Sequence, residues 1–149
     1  MRHRGVRGRA QLLVGVVVGS MGFVSSPVGA QSAPSLVGTW KGTAQAIHMG
    51  VNPYRAPASA APVFSASPME FTVTIVDQKD NRFSGKKTAG DRSETLIGAI
   101  SPNNQSGVML DDDGQYLFTL RDQNTLDVCY NHLNTSGKVV ACYTWKRSM

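Results

Sequence analysis

A chain of 149 residues holds one domain, and 41% apolar residues are enough for a single modest core. Its 15 Lys and Arg against 10 Asp and Glu give a formal charge of +5, but four of those positives are Arg2, Arg4, Arg7 and Arg9. Beyond residue 30 the balance is 11 basic to 10 acidic, so the charge gives no support for a nucleic-acid partner.

The four arginines are followed by an apolar run, Leu12 to Val24, diluted by glycine and short of the roughly 20 residues that a spanning helix needs. Val28-Gly29-Ala30 before Gln31 is a small-x-small cleavage pattern. Together these predict a bacterial signal peptide over 1–30, cleaved near Ala30, and a periplasmic or secreted product with no membrane contact after cleavage.

After a polar lead-in, 31–35, short strands alternate with turn signals. Strand one is expected over about 36–47, with Trp40, Gly42, Ala44 and Ala46 on its inward face. The stretch 48–68, with four prolines and many alanines, has no strand pattern and is expected as one long loop, either a low-complexity insertion or a lid. Strand two, about 69–77, alternates cleanly, placing Met69, Phe71, Val73 and Ile75 on one face. Strands three to six follow at about 82–88, 93–101, 106–111 and 115–121. Strands seven and eight, about 125–133 and 138–146, are joined by the turn Asn134 to Gly137. The expected fold is all-β: an eight-stranded up-and-down antiparallel barrel over 36–147. Helix is not expected as a major element, because no apolar pattern at helical spacing lasts beyond a turn.

The last hairpin fixes a register. Centring the turn on 134–137 sets Cys129 opposite Cys142, where facing Cα atoms lie about 4.5–5.5 Å apart, within disulfide range. An exported chain with two facing cysteines is most simply disulfide-bonded; no C-x-x-C spacing supports a redox pair, and two cysteines do not make a zinc site. In the same register Leu126, Val128, Tyr130 and His132 share the core-facing side with Val139, Ala141, Tyr143 and Trp145, and the bridge lies outside.

Trp40 and Trp145 then fall at one end of the barrel, where they form a plug, with only Gly42, Ala44, Ala46 and Ala141 above them. Small barrels fill with side chains or hold one small ligand. The taper favours a cavity at the end that carries 48–68; the competing reading fills it with Phe71, Phe83, Tyr116, Phe118 and Tyr130. Candidate ligand contacts are Tyr54, Arg55, Tyr116, Tyr130, His132 and Tyr143.

Gly38-Thr39-Trp40 on the first strand is similar to the Gly-x-Trp signature of lipocalins and avidins, the calycin group. The resemblance implies a first-strand Trp at the closed end with a basic residue of the last strand against it, here Lys146 or Arg147, and a group of small secreted bacterial barrels. Biotin binding does not carry over: where avidins place Asn and Ser after that Trp, this chain has Gly42 and Ala46.

No catalytic set stands out, and the chain is read as a non-enzyme that needs no cofactor or metal. A His132 pair with Asp112 or Asp91 is weighed for acid–base work, but a satisfied rim histidine is the commoner outcome. Asp111-Asp112-Asp113-Gly114 fits a hairpin turn better than a calcium loop, because Tyr116 stands where an EF-hand needs Gly. Two functions remain: binding of a small, partly apolar ligand under 48–68, or a protein-binding or inhibitory module acting through that segment.

Overall fold

The computed structural model describes residues 32–52 and 54–148, so the expected signal peptide over 1–30 lies outside the described residues. Ten strands follow in chain order: β1 (Gly38–Ala44), β2 (Ile47–Asn52), β3 (Arg55–Phe64), β4 (Met69–Lys79), β5 (Arg82–Ala89), β6 (Arg92–Ile100), β7 (Ser106–Leu110), β8 (Gln115–Asp122), β9 (Thr125–Leu133) and β10 (Gly137–Arg147). Among the described residues there is no helix. Eight of the strands, β1 and β4 to β10, form a closed antiparallel barrel; β10 returns to β1 through the pairs Trp40–Arg147 and Lys41–Lys146.

Two features differ from expectation. Strand one breaks after Ala44, and the segment expected as a loop forms the hairpin β2–β3. The break is held by Ser65, whose amide and hydroxyl both donate to the Ala46 carbonyl and whose Oγ accepts from the Ala46 amide. β10 is long enough to pair with β1 at one end and β2 at the other, where Val140 faces Ile47 and Gly137 faces Gly50. β3 then adds to the free side of β2 with register shifts on both sides of Gly50. β3 has no apolar alternation of its own; its strand geometry comes from the hydrogen-bonding edge that β2 offers.

The closed end is built around the two tryptophans, both fully buried. The Trp40 indole donates to the Leu36 carbonyl at 2.9 Å, and Leu36 is itself buried. Arg147 stacks its guanidinium 4.3 Å from the Trp40 ring centroid and donates to the Val37 and Ser35 carbonyls at 2.6 and 2.8 Å. Lys146 points outward. Gly38 has φ +137°, and a Cβ there would lie 2.9 Å from the guanidinium, so two separate constraints call for glycine. Above this floor Phe83 and Phe118 pack edge to face, each covering the glycine opposite it on the neighbouring strand, Gly98 and Gly107. The Cys129–Cys142 disulfide is formed on the outer face, with Cα atoms 4.0 Å apart.

Candidate functional site

The pocket lies at the end opposite the tryptophans and is lined from β1, β4, β5, β8, β9 and β10, with Asn52 and Tyr54 from the tip of β2–β3. Ala44, Ala46 and Ala141 make room on one wall. Gly42 does not: the Thr144 carbonyl and the Trp145 ring press against it, 2.5 and 2.7 Å from where a Cβ would stand, so it accommodates the plug rather than widening the cavity. The remaining space is about 40 Å³, room for two or three waters at most. Phe71, Tyr116 and Tyr130 line the space, while Phe83 and Phe118 fill the core below it.

All four tyrosines of the chain line this one pocket, together with His132. Tyr54, Tyr116, Tyr130, His132 and Tyr143 are therefore brought together; Arg55 opens β3, and its side chain lies outside those described. Rings run without a break from the floor to the mouth, from Trp145 through Tyr143 and Phe71 to Tyr54. Burial, first among the causes, raises the pKa of each of the four phenols, so they stand as neutral hydroxyls at ordinary pH.

The centre of the site is Lys87, which sequence reasoning missed. Its side chain is 1% exposed, and its ammonium makes ion pairs with Glu94 and, at 2.5 Å, with Asp111. Four rings surround that ammonium, those of Tyr54, Phe71, Tyr116 and Tyr130, with centroids 5.1 to 5.7 Å away. Alternation along β5 turns Phe83, Gly85, Lys87 and Ala89 inward, and the tight turn after Ala89 sets Lys87 directly opposite Glu94. Both were open to the face-and-turn reasoning applied to the last hairpin.

Asp111 serves two purposes. Its Oδ1 accepts from the Gly114 and Asp113 amides and shapes the β7–β8 turn, while Oδ2 takes Lys87 and the Tyr116 hydroxyl. Burial alone would raise its pKa, but the Lys87 charge and these hydrogen bonds outweigh burial and hold it below the usual carboxylate range. Asp113 accepts from the Tyr130 hydroxyl at 2.8 Å and faces His132 Nδ1 at 3.3 Å. The partner of His132 is thus Asp113, and neither Asp112 nor Asp91; Asp112 instead receives the Thr95 amide. His48 is buried away from the pocket, against an outer groove between β2, β3 and β10.

Glu94, Asp111 and Asp113 bring carboxylate oxygens within 4.8 Å of one another, the one such group among the described residues that could hold a cation. The Lys87 ammonium supplies positive charge to two of them.

The site and strand order together define a closed β-barrel with an aromatic pocket at one end that holds a buried Lys87–carboxylate cluster. No protein-family model matches the chain, and no curated protein matches it. Among solved structures it is similar to a protein of unknown function of the DUF3598 family from Nostoc punctiforme, with 19% identity and a TM-score of 0.42, over 84% of this chain and 53% of that one. The chain thus spans about half the length of that neighbour. It is also similar to the S-type phycobiliprotein lyase CPES of Guillardia theta, with 9% identity and a TM-score of 0.33, over 76% of this chain and 89% of that one. The reading of the chain as a non-enzyme is withdrawn, since a neighbour carries the name of a lyase. Among the described residues no helix is long and apolar enough to cross a membrane.

Proposed function

We propose that the protein binds a small, partly apolar ligand at the barrel end beneath the β2–β3 tip. The observation that carries this reading is the convergence of all four tyrosines, Phe71 and three alanines on one pocket at the end away from the tryptophan floor. Aromatic walls supply apolar contact, and neutral phenols with a few fixed charges supply orientation, the usual make-up of a small-molecule site. Tyr54, Arg55, Tyr116, Tyr130, His132 and Tyr143 are the contacts in this reading. Biotin is not the ligand, because Gly42 and Ala46 bring no polar side chain to the wall. The leader pattern and the disulfide support a periplasmic or secreted protein of the calycin type. Anisole, a neutral single-ring probe with one ether oxygen, tests the site by calorimetric titration: it should bind the full chain saturably, and Ala141→Trp, which fills the pocket from β10, should abolish binding. Equal binding by a folded Ala141→Trp variant sinks the proposal.

A protein-binding role for 48–68 has one observation in its favour. β3 is the outer strand of its hairpin, and Phe64 at its end is 79% exposed. Deleting 50–66 separates the two: loss of a captured partner with anisole binding intact supports this second role.

A further inference from the structure

Three of the pocket tyrosines stand on barrel strands, Tyr116 on β8, Tyr130 on β9 and Tyr143 on β10. Tyr54 does not. It sits at the β2–β3 tip, where its amide donates to Asn52 Oδ1 at 2.8 Å, and it fills the mouth with a ring brought from outside the barrel wall. The surroundings of that ring are unusual. The Lys87 ammonium lies 5.1 Å from its centroid and the Arg92 guanidinium 5.7 Å; Phe71 meets it edge to face at 5.9 Å and 74°. Its hydroxyl is buried with no hydrogen-bond partner, and the buried Glu94 Oε2, ion-paired to Lys87, accepts no hydrogen bond either.

Resting on the ligand-binding reading above, we infer that the pocket's ligand is a neutral hydroxyaromatic compound whose ring takes the place of Tyr54. Space makes the first argument. A benzene-sized ring needs a cavity of roughly 150 Å³; the pocket has about 40 Å³ with Tyr54 in place. A ring therefore binds only where the Tyr54 ring now stands. Charge makes the second. Two cations over the ring favour an electron-rich π face, and the buried Glu94 Oε2, which accepts no hydrogen bond, favours a hydroxyl donor. An anion would meet Glu94, Asp111 and Asp113, and an organic cation would meet Lys87 and Arg92. Tyr54 is the chain's own tethered copy of the ligand, and it keeps the site closed until rotation about its side-chain bonds releases the slot.

The test uses calorimetric titration of the full chain and its Tyr54→Ala variant with p-cresol, toluene and benzoate. p-Cresol should bind Tyr54→Ala about tenfold tighter than wild type, since the tethered competitor is gone, and about tenfold tighter than toluene, which cannot donate to Glu94. Benzoate should not bind. Toluene binding as well as p-cresol, or p-cresol binding the variant no better than wild type, overturns the inference. In that event anisole binding that Ala141→Trp abolishes leaves the ligand-binding reading standing, whereas its absence removes both. Tyr54→Leu, which keeps an apolar side chain without a ring, gives the same comparison should Tyr54→Ala fail to fold by circular dichroism.

Discussion

Lys87 shows how one inward charge organises a pocket. An ammonium fully out of water is stabilised only by partners, and here it has two carboxylates and four ring faces. Lys87→Met removes the cation and leaves Glu94 and Asp111 facing each other with no counter-charge. We expect a loss of about 3–5 kcal/mol in denaturant unfolding, the usual cost of breaking a buried pair from one side. Asp111 gives a pH signature with a definite sign. Its folded pKa lies below the unfolded value, so its contribution is fully present above the ordinary aspartate range and fades as pH falls through the folded value. The stability gap between wild type and Asp111→Asn should therefore be widest near neutral pH and shrink in acid, as read by melting temperature against pH. Lys87 and Glu94 were within reach of the sequence: on β5 and β6, as on β9 and β10, a tight turn sets the facing pairs and alternation sets the faces. What the sequence could not show is that Asp111, at the end of another hairpin, would meet Lys87.

At the scale of elements, the β9–β10 hairpin carries the disulfide where local register placed it. The bridge closes a sequence separation of 13 and lies on the outer face, away from the pocket. Replacing both cysteines by serine should cost about 3 kcal/mol, mostly through the freer unfolded chain. Anisole binding should survive, because Tyr130, His132 and Ala141 occupy the other face; loss of binding in a folded double variant would tie the bridge to the site. The β2–β3 hairpin is the contrary case. Prolines, alanines and the lack of alternation in 48–68 read as a loop, and only the exposed upper edge of β10, left unpaired where β1 breaks off, explains why β2 and then β3 become strands. That hairpin is also what carries Tyr54 to the pocket mouth.

For the molecule as a whole, closure depends on pairing the ends. Arg147 reaches the Val37 carbonyl across 110 residues of chain, and Trp145 completes the floor beside Tyr143 and Tyr116. Such non-local closure predicts slow folding, in roughly milliseconds to seconds. Ending the chain after Tyr143 removes Trp145, Arg147 and both β1–β10 pairs. The shortened chain should lose its near-UV circular dichroism and its cooperative unfolding transition, whereas a chain lacking only Met149 should keep both. The sequence by itself determined the eight barrel strands, most of their turns, the facing cysteines and the tryptophan floor, because alternation, turn residues and hairpin register are local properties. Only the tertiary structure decided that β10 is shared between β1 and β2, that Lys87 meets Asp111, and that Tyr54 fills the mouth. Those contacts join residues far apart in the chain, and they exist only once the barrel closes and sets its inward side chains at common distances.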